Sequence, residues 1–595
     1  MNILLTAINA KYIHSNLAVY SLRACAGEYR DTVELAEYTI NNQKDYILEE
    51  LYKRKPDVLC FSCYIWNIDY VTDIAREYKK LCPSVPIWVG GPEVSYEVEA
   101  FLRENPYIDG VMIGEGEDTF RELCGYYAHK RKLSDIAGIA FRKNSTGNST
   151  SNSTSVNNIG GNKAGEIVFT SPRPIKNMSE IPFCYDTLDD FSNRIIYYES
   201  SRGCPFSCSY CLSSVDKTLR FRDTEIVKRE LKFFIDQKVP QIKFVDRTFN
   251  CNHAHAMELW RFIKANDNGV TNFHFEISAD LLNQEELELI SDMRPGLIQF
   301  EIGVQSTNEV TIKEIHRTMK LERLKEVVRL IQSGNNIHEH LDLIAGLPYE
   351  DYDSFGRSFD EIYELKPNQL QLGFLKVLKG SYMFEHASEY GIVYHDKPPY
   401  EVMSTKWLSF DDVIKIKRVE EMLEVYYNSG QFDITMKLME CIFDSAFEFF
   451  QELGDFYEAN GYFGMSHSRI RRCEILLEFL ALYLHGCDSD DTDFDENAQL
   501  YSMIQESLIF DLYYRENCKS RPRWAADIGS FKHMTHAYCK NGKLSHVEPF
   551  HYIFPDKHTR KLDELPKYHK EPVWALFHYD MRDPLDHQAM VEYIE

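Results

Sequence analysis

Over the first 140 residues, short apolar runs alternate with amphipathic stretches. NILLTAI, DVLCFSCY, PIWVGG and GVMIGEG are apolar almost throughout, as strands covered on both faces of a parallel sheet must be. NIDYVTDIAREYKKL and EDTFRELCGYYAHK instead return an apolar residue every three or four positions, which predicts helices. Together they predict a doubly wound, Rossmann-like α/β domain over residues 1–142, with its ligand at the carboxyl ends of the strands.

Residues 144–165, NSTGNSTSNSTSVNNIGGNKAG, hold too few apolar side chains to build a core, and predict a low-complexity linker over 143–166. Its three Asn-x-Ser/Thr triplets match glycosylation acceptors, a reading set aside because no leader peptide is expected. A second alternating series runs through IIYYESS, IKFVDRTF, FHFEISAD, LIQFEIGVQS, HLDLIAGL and LQLGFLKV. Helical patterns such as TEIVKRELKFFIDQK and LERLKEVVRLIQSG separate these runs. Six strand–helix units predict a partial (β/α)6 barrel over residues 167–395, with its chemistry at the carboxyl ends of the strands. Beyond that, DDVIKIKRVEEMLEVYYNSG and SRIRRCEILLEFLALYLHG predict a mostly helical domain over 396–595. DSDDTDFDEN, between helical stretches, lacks the glycine and terminal glutamate of a calcium loop and reads as a solvated acidic loop.

Composition narrows the partners. With 595 residues, 44% of them hydrophobic, the chain can bury the cores of three or four domains. Its formal net charge of −26 offers no basic field for a nucleic acid or an anionic membrane. No apolar run reaches spanning length, and MNILLTAINAKYIHSN lacks the charged start and apolar core of a leader, so a cytoplasmic protein is expected. Fifteen cysteines without framework spacing suit a reducing compartment.

Three of those cysteines, Cys204, Cys208 and Cys211 in SRGCPFSCSYC, follow directly on the first barrel strand. Thiolates at this spacing can converge on one metal centre, and Gly203 and Pro205 suit a loop bending around a bulky object. A structural zinc needs a fourth ligand, and the nearest outside cysteines, Cys184 and Cys251, are distant in sequence. Three ligands on a four-iron cluster leave one iron open for a substrate. Zinc with a distant fourth ligand and a chance group of buried thiols are the alternatives.

The motif resembles that of the radical S-adenosylmethionine enzymes. The resemblance implies that Cys204, Cys208 and Cys211 hold a [4Fe-4S] cluster whose open iron binds the amino and carboxylate groups of S-adenosylmethionine, and that reductive cleavage releases a 5′-deoxyadenosyl radical. Tyr210 matches an aromatic position beside the adenine. Glu276, Gln305 and Asp342 each interrupt an apolar strand, where a polar side chain must be paired or used. Their segments are similar to those of the subgroup containing oxygen-independent coproporphyrinogen oxidase. That resemblance implies that Glu276 meets the methionyl amino end, Gln305 and Asp342 the ribose hydroxyls, and Arg317 the methionyl carboxylate, which its fork can bond at both oxygens.

In the first domain, VGGPE and GEGED each follow a strand, and paired glycines let the backbone approach a flat ligand. In this order the loops resemble the cobalamin-binding domain of B12-dependent radical S-adenosylmethionine enzymes. The resemblance implies cobalamin near Ser62, Gly90, Gly91, Pro92, Glu115, Gly116 and Glu117. The chain departs from the pattern in two places: the Asp-x-His-x-x-Gly motif is absent, and Gly-Gly-Pro-Glu replaces Gly-Gly-Pro-His. His14, without the flanking Asp and Gly, reads as solvent-facing or as a helix start.

These resemblances imply an anaerobic enzyme using S-adenosylmethionine and cobalamin to methylate an unactivated carbon of a small-molecule substrate, with a reductant such as flavodoxin or ferredoxin. Alternatives are a cobalamin-associated radical cyclisation, rearrangement or oxidation, and a non-catalytic B12 or redox sensor. The helical region resembles a C-terminal extension found in a subset of these proteins. Within it, Arg521, Arg523 and Trp524 of SRPRWAAD read as a salt-bridged surface segment in preference to a site for an anionic or aromatic ligand.

Overall fold

The computed structural model describes residues 1–143, 166–486, 493–529, 532–539, 544–555, 559–562 and 564–594. The linker triplets and the first half of DSDDTDFDEN lie outside the described residues, and the remainder of the acidic stretch opens the helix Asp493–Arg515. The chain forms two units. One comprises Met1–Ile277, His316–Thr318 and Lys376–Val402; the other comprises Ser278–Ile315, Met319–Leu375 and Met403–Glu595.

The first unit opens with a seven-stranded sheet built from β1 (Ile3–Asn9), β2 (Val33–Thr39), β3 (Val58–Ser62), β4 (Ile87–Gly90), β5 (Gly110–Met112), β6 (Ile139–Arg142) and β7 (Ile167–Phe169). Its order is β2-β1-β3-β4-β5-β6-β7, with the first five strands parallel, β6 antiparallel to β5 and β7 antiparallel to β6. Chain direction across the sheet reverses at β1, so the crevice for a ligand lies at the carboxyl ends of β1 and β3. β2 escapes a search for apolar runs because VELAEYT alternates polar and apolar residues. Ile167–Phe169, which the 167–395 boundary assigns to the barrel, pairs with β6 and closes this first sheet. The helix Ile68–Leu81 lays Val71, Ile74, Ala75 and Tyr78 against the sheet core, as its periodicity requires.

The same unit carries three parallel strands, Ile196–Tyr198, Gln241–Phe244 and Asn272–Ile277, with the middle one between the other two. The second unit carries three more, Ile298–Gln305, His338–Ala345 and Gln369–Phe374, again paired in parallel through the middle one. All six apolar runs expected to be barrel strands are thus parallel strands.

After residue 403 the second unit is mostly helical, as expected. Ser445 caps the helix Ala446–Ala459, and Asp360 accepts from Phe447 N at 2.8 Å and Ser445 Oγ at 2.7 Å, while Phe447 packs on Phe355 and Phe359. The last fifty residues depart from the expectation. Ser545–Tyr552, Tyr568–Arg582 and Ala589–Ile594 form an antiparallel sheet. Histidines and carboxylates interleaved with its aromatics blur the period-two signal. Arg521 bonds the buried Glu548 at 2.6 Å, in keeping with a salt-bridged SRPRWAAD segment. Among the described residues no helix is long and apolar enough to cross a membrane.

Candidate functional site: a cysteine loop beside a doubly wound sheet

The loop from Gly203 to Leu219 hangs from a two-stranded base, Ser201–Arg202 paired with Arg220–Phe221. Gly203 has φ +87°, and a Cβ there would meet Thr218 O at 2.6 Å, so only glycine fits the entry to the loop. Within it Cys204 N donates to Asp216 O (3.2 Å), Cys211 N to Cys208 O (3.1 Å) and Ser214 Oγ to Cys211 O (2.6 Å). Cys204 and Cys208 are buried, Cys211 is half-buried, and none is in a disulfide. Burial pushes the Cys204 thiol above its ordinary pKa. Cys251 lies near enough to Cys204 for their charges to interact, and burial takes its own thiol to about 11.

Arg317 reaches this loop from far along the chain. Its Nη1 stands 3.7 Å from Cys208 Sγ and 3.2 Å from Tyr210 Oη. Burial opposes the guanidinium charge, but Tyr210 and Cys208 more than offset it and raise its pKa. The structure thus brings together five of the expected residues: Cys204, Cys208, Tyr210, Cys211 and Arg317. Three thiols with a cation on one of them suit an anionic cluster, whose thiolates each bind a different iron. Among the described residues no group of three or more His, Cys, Asp or Glu is arranged to hold a single metal ion.

The floor under the loop was not anticipated. Asp246, fully buried after the strand Gln241–Phe244, accepts from Ser200 N (2.8 Å) and Ser200 Oγ (2.7 Å) and also bonds Ser201 Oγ. Burial pushes its pKa up to about 6. Its signal in IKFVDRTF, a carboxylate at the end of an apolar run, is the one that marked Asp342. A second unanticipated contact is made by the segment Lys376–Val402: Met383 N donates to Ser209 O at 2.9 Å, and Tyr400 Oη bonds Glu93.

The loops of the first sheet sit where its topology places a ligand. Ser62 and Gly90 face each other at the carboxyl ends of β3 and β4, and Gly114–Glu117 follows β5. Gly91 has φ +123°, and Pro92 opens a short turn beyond it. Gly116 N-caps the helix Glu117–Tyr127. Glu115 and Glu117 pair with Arg220 and Arg202. His14 is half-buried and is not a helix start: its Nδ1 is 2.7 Å from Tyr197 Oη, and Asn16 caps the following helix. Burial, then Lys11, Lys243 and Arg194, lowers the His14 pKa.

Glu276 is half-buried near the end of Asn272–Ile277. In the second unit, Gln305 and Asp342 lie on neighbouring strands, with Asp342 opposite Gly303. Gln305 ends its strand at an irregularity with φ +76°, and its Oε1 is buried without a hydrogen-bond partner. Such a conformation costs about 1–3 kcal/mol in a non-glycine residue, and strain of this kind gathers at ligand sites. Behind it, buried Glu350 accepts from Ser306 Oγ (2.7 Å) and Ser358 Oγ (3.0 Å). Burial takes the Glu350 pKa from 4.5 to about 7. A raised folded-state pKa contributes stability below 4.5 that is lost as pH rises through 7. Glu350→Gln, which cannot ionise, therefore gains stability relative to the parent by about 3 kcal/mol between those pH values. Denaturant melts across that range check this, and parallel curves would contradict it.

Comparison with known proteins follows this division. The B12 binding domain family matches residues 3–124, the Radical SAM superfamily residues 198–362, and DUF4080, a protein family of unknown function, residues 388–590. The cobalamin-dependent radical SAM methyltransferase TokK of Streptomyces tokunonensis is 27% identical over 57% of this chain and 49% of its own length. The anaerobic magnesium-protoporphyrin IX monomethyl ester cyclase of Rubrivivax gelatinosus is 22% identical over 58% of this chain and 60% of its own. The chain spans about half the length of the curated relatives it matches first. The cobalamin-dependent S-adenosylmethionine radical enzyme OxsB, solved with aqua-cobalamin and S-adenosylmethionine bound, superposes with a TM-score of 0.56 at 16% identity, covering 86% of this chain and 80% of OxsB. At that identity the likeness shows the fold.

Proposed function

This chain is a radical S-adenosylmethionine protein with a B12-binding domain, and from that premise we propose an enzyme that methylates an unactivated carbon of a small molecule. The observation that carries the reading is the cysteine loop with Arg317 on Cys208 and Tyr210. Cys204, Cys208 and Cys211 would hold a four-iron cluster, and the loops at Ser62, Gly90–Pro92 and Gly116 would take cobalamin. Bound there, the cluster supplies the electron that cleaves S-adenosylmethionine to a hydrogen-abstracting radical, and cobalamin carries the methyl group.

The chain's own part is binding and orientation. The Arg317 fork suits the methionyl carboxylate. Asp342 and the unpaired Gln305 Oε1 suit ribose hydroxyls, and Glu276 suits the amino end. Asp342→Ala is expected to weaken S-adenosylmethionine binding about tenfold, at full iron content. Calorimetry on the reconstituted protein measures this, and unchanged affinity would remove Asp342 from the site.

Methyl transfer is favoured over cyclisation by methyltransferase relatives such as TokK, although the cyclase is a relative too. S-adenosylmethionine bearing a trideuterated methyl, incubated anaerobically with the enzyme and small-molecule extract, separates the two. Methylation gives a product three mass units heavier than with unlabelled cofactor, accompanied by S-adenosylhomocysteine. 5′-Deoxyadenosine with no labelled product would favour the cyclase-like reading.

A further inference from the structure

Across the base of the cysteine loop, Arg202 stands directly opposite Arg220 in the antiparallel pair. Like charges at opposed strand positions repel. The first domain supplies the counter-charge. Glu115 Oε1 lies 2.5 Å from Arg220 Nη1 and 3.4 Å from Arg202 Nη1, bridging the two guanidiniums. Glu117 Oε1 is 2.5 Å from Arg202 Nη2. Glu199 takes the far side of Arg202 at 3.0 Å, Asp216 takes Arg220 at 2.8 Å, and Lys176 N donates to the second oxygen of Glu115 at 2.9 Å. The side chains of Arg202, Arg220, Glu115 and Glu117 are only 18%, 13%, 19% and 6% exposed. Removing one partner therefore strands a charge with little water to screen it.

We propose that Glu115 and Glu117 are positioning residues of the cysteine loop: an ion-pair clamp through which the B12-binding domain sets the geometry and electrostatics of the cluster ligands. This gives the two carboxylates a different role from the cobalamin contacts that their loop's resemblance implies. The proposal rests on reading Cys204, Cys208 and Cys211 as cluster ligands and requires nothing of cobalamin. Glu115, Glu117 and Glu199 face Arg202, and Glu115 and Asp216 face Arg220, so Glu117→Gln removes one negative charge, Arg202→Gln one positive charge, and the double variant restores the balance.

The test uses the full chain, reconstituted anaerobically with iron and sulfide. Its readouts are the midpoint potential and electron paramagnetic resonance signal of the reduced cluster, and an absorbance titration with cobalamin. Glu115→Gln and Glu117→Gln are expected to raise the potential and perturb the signal. Arg202→Gln should lower the potential, and Glu117→Gln/Arg202→Gln should return it toward the parent value. Cobalamin affinity should change less than about threefold throughout. A parent-like cluster in both Glu variants would overturn the clamp, and a loss of cobalamin affinity of about tenfold or more beside it would make them cobalamin contacts. If Glu117→Gln loads no cluster, recovery of iron in the double variant supports the clamp, and its absence overturns it. A parent chain that binds no iron would remove the cluster reading and the clamp with it, whereas a parent cluster indifferent to all three changes removes the clamp alone.

Discussion

Cys208→Ala yields a protein that holds no four-iron cluster and forms 5′-deoxyadenosine at a rate reduced by on the order of a thousandfold or more. With three protein ligands on a four-iron centre, loss of one leaves a second iron without a protein ligand, and the open coordination site for S-adenosylmethionine is no longer unique. Arg317 loses a partner as well, since its Nη1 lies 3.7 Å from the Cys208 sulfur. The first domain meets this loop at its Arg202–Arg220 base and not at Cys208, so cobalamin binding should persist. Iron and sulfide analysis beside chromatography of the reaction checks both halves of this expectation. Undiminished 5′-deoxyadenosine would mean that another centre performs the cleavage.

Gly91→Ala tests the turn proposed to take cobalamin. At φ +123° an L side chain is strained, and the added Cβ would stand 2.4 Å from Cys63 O and 3.1 Å from Cys63 N. These are backbone atoms, so no rotamer change relieves the clash. Cys63 N donates to Gly90 O at 2.7 Å, tying the ends of β3 and β4 together at the point that must move. The expected loss is on the order of 3 kcal/mol in the stability of the first domain, with cobalamin affinity reduced at least about tenfold. Thermal melts and a cobalamin titration at a temperature where the variant is folded check this. Parent-like affinity would mean that the turn does not carry the ligand.

Much of this organisation was legible because the responsible signals are local. Cys204, Cys208 and Cys211 lie within eight positions, and the six apolar runs report strands directly through their burial. Gln305 and Asp342 stood out because a polar residue in an apolar run is conspicuous. Asp246 emitted the same signal in IKFVDRTF and was passed over, although it anchors Ser200 and Ser201 under the cysteine loop. Other features left no local trace. The pairing of Glu115 with Arg220 and of Glu117 with Arg202 joins residues some hundred positions apart, and surface-type residues give no hint of such partners. Likewise, nothing in EVMS or PPYE points to Tyr400 bonding Glu93, the residue that replaces histidine in the Gly-Gly-Pro motif. The final antiparallel sheet was missed because HVEPFHY dilutes its alternation with titratable side chains.

The central claim is that this chain cleaves S-adenosylmethionine reductively at a cluster held by Cys204, Cys208 and Cys211. The most direct measurement is chromatography of the full chain after anaerobic reconstitution with iron, sulfide and cobalamin, reduction, and incubation with S-adenosylmethionine. The account predicts 5′-deoxyadenosine that depends on reductant and disappears in Cys208→Ala, with S-adenosylhomocysteine beside it when a substrate is turned over. Intact cluster and cobalamin with no 5′-deoxyadenosine under any substrate extract would contradict it.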